Sequence, residues 1–103
     1  RSFLFIDECV EATYRMMQSD FMGPVNIGSE EMVTIDKLVD IAAKVSGKEV
    51  MKIHIDGPLG VRGRNSNNDL VREKLGWDYS QTLEEGIYKT YVWILSQLGQ
   101  ELY

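Results

Sequence analysis

The segment Thr34–Gly47, TIDKLVDIAAKVSG, is the clearest pattern in the sequence and decides the fold class. Thr34 belongs to the residue types that cap a helix N-terminus, and Gly47 to those that follow a helix C-terminus. The apolar residues between them recur at helical spacing along one stripe: Ile35, Leu38, Val39, Ala42 and Val45. The segment therefore predicts an amphipathic helix that packs through one face.

Stretches that are typical of short β-strands lie on both sides of this helix. Val50–Ile55 alternates two sets of residues, and a period of two predicts a strand with one buried face. Val25–Ile27 is a short apolar run closed by Gly28, and Ser2–Ile6 is short and aromatic. We therefore expect three short strands.

Three further helices are predicted from spacing and end signals. Glu8–Gln18 carries apolar residues at helical spacing behind Asp7, a favourable N-cap. A short helix over Asp69–Leu75 ends at a glycine, with Asn67 or Asn68 as its N-cap. The last helix begins at the capping box formed by Thr82 and Glu85. The fold class is α+β, one domain over residues 1–103 with about four helices and three short strands.

Composition and charge exclude several classes of function. The chain has 103 residues, of which 44% are hydrophobic and 26% charged, as in globular proteins. Its formal net charge of -5 argues against binding to nucleic acid or to an anionic membrane surface. The presence of one cysteine and one histidine argues against a zinc site, and a single cysteine cannot form an internal disulfide. The single thiol is typical of a reducing, cytoplasmic location.

Two residues have side chains suited to catalysis, but neither has the expected partners. Cys9 lies early in a helix, where the dipole favours a thiolate, yet no histidine is near it in sequence. We interpret it as a small half-buried thiol, and His54 as a structural or surface residue. Trp77 and Trp93 are interpreted as packing residues. The sequence contains no Gly-x-Gly-x-x-Gly and no Tyr-x-x-x-Lys, so we predict no catalytic residue in this chain.

Gly57–Ser66, GPLGVRGRNS, places two arginines in a glycine-rich loop of an acidic protein. Glycine lets the backbone approach a ligand closely, and each guanidinium presents a planar fork of donors that suits a diphosphate. Both arginines can equally be solvated loop charges. The loop alone leaves these two interpretations open.

Three segments, taken in this order, resemble the C-terminal part of extended short-chain dehydrogenase/reductases that act on nucleotide sugars. They are Arg1–Val10 (RSFLFIDECV), Pro24–Ser29 (PVNIGS) and Lys74–Trp77 (KLGW), followed by a long terminal helix. The run Gly57–Ser66 after Ile53–Ile55 is similar to a run in the GDP-mannose 3,5-epimerase family. The resemblance covers nearly the whole chain.

The resemblance implies roles for individual residues. Arg1 matches an arginine that contacts the nucleotide-sugar substrate, and Arg64 matches one on the phosphate side. Arg62 lies in the same motif and is given a supporting role. Asn26 is expected to be structural, and Asn67 stands where the family usually has an aspartate.

The resemblance also implies what this chain lacks. The family binds NAD in an N-terminal Rossmann domain and epimerises next to a transient ketone. Its glycine fingerprint, its Tyr-x-x-x-Lys pair and its acid/base residues precede the part that this chain matches. Arg1, and not methionine, begins the sequence, so we expect a chain cut from a larger enzyme that binds no cofactor and is not catalytic alone. Whether such a truncation is natural stays open.

Two other functions are kept as alternatives. The first is the same part of a UDP-glucose 4-epimerase or a dTDP-sugar dehydratase. The second is a stand-alone module that binds a partner protein, or a second copy of itself, through the face that a Rossmann domain would cover. Removal of such a domain would expose apolar surface, which favours association.

Overall fold

Four helices form the regular secondary structure of the computed structural model, which describes residues 1–102, with side chains to residue 99. Their order along the chain is α1 (Ile6–Gln18), α2 (Ile35–Ser46), α3 (Asp69–Leu75) and α4 (Leu83–Leu102). The predicted number of helices is confirmed, and long extended segments connect them.

Local end signals account for the limits of α2, α3 and α4. The Thr34 hydroxyl accepts a hydrogen bond from the Lys37 amide at 3.0 Å and caps α2. Gly47 and Gly76, which follow α2 and α3, have φ angles of 70° and 63°, a region that favours glycine. Thr82 and Glu85 form the capping box of α4, with reciprocal hydrogen bonds of 3.1 and 3.2 Å.

The predicted N-cap of α1 needs correction, whereas α3 begins at one of its two predicted N-cap residues. Phe5, not Asp7, occupies the N-cap of α1, and its side chain makes no cap hydrogen bond. Asp7 lies in the first turn, where its negative charge faces the positive end of the helix dipole. At α3, Asn68 holds the N-cap position without a side-chain cap bond, while the Asn67 side chain accepts from the Asp69 amide at 2.9 Å.

The helices pack in two pairs. α1 lies against α3, and α2 lies against α4. The first pair buries Ala12, Val71 and Trp77, which form one apolar cluster. Further partly buried residues pack against this cluster: Leu75 at the end of α3, and Leu4, Val25, Ile27 and Tyr79 from the extended segments. The predicted packing role of Trp77 is thus confirmed, whereas Trp93 is 62% exposed and lies outside the core.

The three predicted strands are wrong for the described residues. The only β pairing there is an isolated antiparallel bridge between Ser2 and Met32, flanked by reciprocal backbone hydrogen bonds between Arg1 and Val33. A strand needs a partner for its backbone groups, and sequence alternation alone supplies none. In Val50–Ile55, even the residues of the expected buried face are open to solvent.

The chain is extended for its length and leaves much apolar surface uncovered. Its radius of gyration is 16.7 Å, against about 13 Å expected for a compact domain of this size. Met17 and Met22 are exposed, as are large apolar side chains on every helix. None of the helices within residues 1–102 is long and apolar enough to cross a membrane.

Candidate nucleotide-sugar site

An open polar cleft of about 510 Å³ lies where three extended segments meet. The first segment leads into α1, the second precedes α2, and the third precedes α3. Its lining residues are Arg1, Ser2, Leu4, Asn26, Ile27, Gly28, Ser29, Arg64, Asn65 and Ser66. The volume lies within the range of small-molecule sites.

The chemistry of the cleft suits an anion. Arg1 and Arg64 contribute two positive charges, and no carboxylate is among the lining residues. Hydroxyl and amide groups of the serines and asparagines add uncharged hydrogen-bonding groups around them. Guanidinium groups bind phosphate oxygens through planar, charge-assisted hydrogen bonds, which are stronger than neutral ones.

The three arginines predicted for the site differ in their position relative to the cleft. Arg1 and Arg64 line the same cleft, although they are far apart in sequence. Arg62 is exposed on the Gly57–Ser66 loop and is not among the residues that line the cleft. Asn26, expected to be structural, also lines the cleft.

Two walls of the cleft are joined by the buried side chain of Asn68. Its amide nitrogen donates to the Gly28 carbonyl at 2.6 Å, and its amide oxygen accepts from the Ser66 hydroxyl at 2.6 Å. A longer bond of 3.4 Å links the Asn65 side chain to the Glu30 carbonyl. These bonds fix the segment around Gly28 to the segment that follows Arg64.

The two walls also approach closely at Gly28. A Cβ atom on this residue would lie 2.7 Å from Cβ of Ser66, closer than real side chains come. The contact therefore requires glycine at position 28 for steric reasons. The Asn-Ile-Gly run that carries the sequence resemblance thus has a packing function at its glycine.

Behind this junction, Glu30 and Arg72 form an ion pair through direct side-chain hydrogen bonds. Glu30 also accepts from the Asn68 amide at 3.1 Å. The hydrogen bonds from Arg72 and then from Asn68 hold the pKa of Glu30 below its ordinary value. Hydrogen bonds to Glu30 and Asp78 raise the pKa of Arg72, so the guanidinium stays charged.

The contacts of Glu30 and Glu31 join residues far apart in the sequence, and local sequence pattern does not identify them. Glu30 pairs with a residue 42 positions away, and Glu31 accepts from the Leu83 amide, 52 positions away, at 2.9 Å. Nothing in the local pattern indicates such partners. Only an alignment of covarying positions or the fold itself can reveal them.

Glu8 lies in the first turn of α1, where an acidic residue favours the helix dipole, but it has a more specific role. The residue is 6% exposed, and its carboxylate accepts from the Ser80 amide, the Ser80 hydroxyl and the Gln81 amide at 2.6–2.9 Å. These bonds tie α1 to the segment before α4. Such a buried carboxylate is stabilised by several donors instead of a counter-charge.

The two side chains considered for catalysis lie outside the cleft lining. Cys9 is a half-buried free thiol beside Val10, Thr13, Tyr14 and Met17. His54 is exposed, and its Nε2 lies 3.0 Å from a carboxylate oxygen of Asp36. Within the described part of the chain, no group of three or more histidine, cysteine or acidic residues is placed to hold a metal ion.

Comparison with solved structures defines the class. UDP-glucose 4-epimerase from Thermotoga maritima, solved with UDP-glucose, matches 95% of this chain with a TM-score of 0.89 and 25% identity. UDP-glucuronic acid 4-epimerase from Bacillus cereus matches all of it with a TM-score of 0.77 and 24% identity. The chain covers 32% of each of those structures. It therefore has the fold of part of a nucleotide-sugar epimerase of the extended short-chain dehydrogenase/reductase type.

Comparison of sequences narrows the class. The chain is 50% identical over 101 residues to GDP-mannose 3,5-epimerase from Arabidopsis thaliana and, to the same extent, from Oryza sativa subsp. japonica. These matches cover 98% of the chain but 27% of the relatives, so the chain spans about a quarter of their length. No protein-family model matches the sequence. The chain is a homologue of part of GDP-mannose 3,5-epimerase, which confirms the resemblance predicted from the sequence.

Proposed function

We propose that the chain is the nucleotide-sugar-binding portion of an NAD-dependent epimerase whose substrate resembles GDP-mannose. Arg1 and Arg64 hold the diphosphate, and Arg62 supports them from the loop. The observation that carries the proposal is the convergence of Arg1 and Arg64 on one cleft without a carboxylate in its lining. The 50% identity to GDP-mannose 3,5-epimerase supports the choice of nucleotide.

The number of contacts predicts weak binding. A charge-assisted hydrogen bond contributes about 1.5–3 kcal/mol, and the cleft offers two arginines for them. Association itself costs at least about 4 kcal/mol in lost motion. We therefore expect the isolated chain to bind weakly, with a dissociation constant above about 1 mM, the value that corresponds to about -4 kcal/mol.

Catalysis needs groups that this sequence does not contain. In the proposal, a Rossmann domain of the parent enzyme binds NAD, supplies the acid/base residues and packs against this chain. The uncovered apolar surface and the extended shape support such a partner. We expect no epimerised sugar from the pure 103-residue chain with NAD and GDP-mannose, and detection of product would overturn this part of the proposal. A cytoplasmic location is proposed with it.

A titration of the ¹⁵N-labelled chain with GDP-mannose, followed by NMR, tests the binding site. We expect shift changes in the amides of the cleft segments and about tenfold weaker binding for Arg64→Gln, which removes one charged contact. Lys48→Gln removes the same charge from an exposed site outside the cleft lining and is the matched control. Equal affinity of these two variants would show that Arg64 is a solvated charge.

The same titration with UDP-glucose and dTDP-glucose separates the alternative substrates. The similar structures include UDP-sugar epimerases, and this supports a UDP-sugar as the alternative substrate. Tighter binding of GDP-mannose than of both other sugars is expected. Tighter binding of UDP-glucose would replace the proposed substrate while leaving the site in place.

A second candidate function is binding to another protein, including a second copy of this chain. The exposed apolar residues on α1, α2 and α4 favour it, because large uncovered apolar patches commonly mark interfaces. Sedimentation at several protein concentrations tests self-association directly. A strict monomer at every concentration would remove the self-association form of this candidate.

A further inference from the structure

Asn68 lies one layer behind the cleft and yet is bonded to two of its walls. The side chain is fully buried, and both of its polar atoms are used: one binds Gly28, the other binds Ser66. Asn68 is not among the residues that line the cleft. A side chain in this position does not contact a ligand in the cleft, but it can fix the positions of the residues that line the cleft.

The position of Asn68 is itself fixed from behind. Its backbone amide donates to Glu30, whose carboxylate is held by Arg72 of α3. Glu30 belongs to the segment of one wall, and Arg72 to the helix that begins directly after Asn68. These bonds therefore form a closed network between the two walls. A shift of one wall must break at least one of them.

Spacing along the chain links this junction to the groups that face the cleft. Ser66 stands two residues after Arg64, and Gly28 stands two residues after Asn26. Hydrogen bonds weaken steeply when distance or angle departs from the optimum, so a small displacement of a wall removes contacts to a shared ligand. A ligand held by Arg1 and Arg64 together depends on the separation of the walls.

We propose that Asn68 is a positioning residue that sets the width of the diphosphate cleft by joining Gly28 to Ser66. This proposal rests on the proposed function, since it concerns binding at the same site. Under this proposal, loss of the Asn68 side-chain bonds weakens ligand binding beyond what a loss of stability at the start of α3 would explain. It also predicts that any change which separates Gly28 from Ser66 weakens binding in the same way.

Two substitutions separate the walls by different means. Asn68→Asp keeps the size of the side chain and an acceptor for Ser66, but it replaces the donor that faces the Gly28 carbonyl with an oxygen. Gly28→Ala adds a methyl group that would lie 2.7 Å from Cβ of Ser66 and acts as a wedge. Asn67→Ala is the matched control, because its side chain is exposed and caps only the Asp69 amide.

NMR titration of the full chain with GDP-mannose measures the affinities at a temperature where each variant gives a folded spectrum. We expect about tenfold weaker binding for Asn68→Asp and for Gly28→Ala, and a change below about twofold for Asn67→Ala. The double variant is expected to bind no more than about twofold more weakly than either single variant, because both disrupt one junction. Thermal melting of the unaltered chain and of the four variants shows whether stability follows the same order.

The outcomes separate this proposal from the proposed function. Binding by the unaltered chain, with Asn68→Asp equal to Asn67→Ala in affinity, overturns the positioning role and leaves the binding site intact. If the affinity losses of the two substitutions multiply in the double variant, the positioning role is also overturned, because the two substitutions then act independently. If the unaltered chain binds no nucleotide sugar, both proposals fall.

Discussion

The two segments that flank Arg64 differ in how firmly the chain holds them. On its C-terminal side, Asn68 is bonded both to the Gly28 carbonyl of the opposite wall and to the Ser66 hydroxyl. On its N-terminal side, the residues from Gly57 to Val61 are all exposed and make no hydrogen bond within the described part of the chain. Arg64 stands at the boundary between an anchored segment and an unanchored one.

This difference shows where the chain fixes geometry and where it leaves freedom. The anchored side keeps the base of Arg64 close to the cleft, while the exposed loop imposes little on the direction of its guanidinium. Regions with few buried contacts open at low free energy, so ligand-binding loops are commonly drawn from them. We expect the loop to order further when a diphosphate is bound.

The largest effect is expected when the core beneath the anchored side is removed. Trp77 is 2% exposed and packs with Val71 of α3, the helix that begins after Asn68. Trp77→Ala should cost about 3–5 kcal/mol of unfolding free energy, a large part of the stability of a small domain. Urea denaturation followed by circular dichroism measures it. Trp93→Ala, at a 62% exposed tryptophan, is the control and should cost about 0.5 kcal/mol or less.

A smaller loss is expected at the bond between α1 and the segment before α4. Glu8→Ala leaves the Ser80 and Gln81 donors without their acceptor, which should cost about 1–3 kcal/mol of stability. Glu11→Ala removes a half-exposed partner of Arg15 on the same helix and should cost at most about 1 kcal/mol. Equal melting temperatures for the two variants would show that the buried carboxylate adds nothing specific.

The ion pair behind the junction should give the anchored side a pH dependence. The pKa of Glu30 is lowered in the folded state, mainly by Arg72, so the unfolded chain binds this proton more tightly. Its contribution is therefore complete above the ordinary glutamate pKa of about 4.3 and is lost as the pH falls through the lower folded value. Glu30→Gln should destabilise the chain at pH 7, and the difference should shrink below about pH 4.

Thermal melting of Glu30→Gln and of the unaltered chain between pH 7 and pH 3 measures how their difference in stability changes. Glu49→Gln changes an exposed glutamate that makes no ion pair among the described residues, so it should follow the unaltered chain at every pH. A constant gap between Glu30→Gln and the unaltered chain would show that the loss does not come from the charge of Glu30.

The parts of the fold that sequence predicted are those fixed by neighbours along the chain. The Thr34 cap and the Thr82–Glu85 capping box act over three residues, so their residue types suffice to indicate them. The alternation of Val50–Ile55 was equally clear, but a strand depends on a second segment that local pattern does not specify. The alternation favours a strand, but it is not sufficient without a second segment to pair with.

The candidate site was predictable only through resemblance. From the residues alone, the arginine loop remained either a solvated segment or a phosphate site, and Arg1 carried no signal. Family resemblance brought Arg1 and Arg64 together, and the structure places both in one cleft. The junction at Asn68 escaped both approaches, because its bonds reach Gly28 across 40 positions.

The smallest effect is expected in the unanchored loop, where two glycines can be compared across the boundary. A Cβ atom on Gly60 would meet nothing within 4 Å, and its backbone has no positive φ. Gly60→Ala should therefore change the unfolding free energy by about 0.5 kcal/mol or less, or raise it slightly by restricting the unfolded chain. Gly28→Ala, with its close contact to Ser66, should destabilise the chain clearly in the same denaturation experiment. A large loss from Gly60→Ala would mean that the loop is packed in solution, and the contrast between the two segments would then disappear.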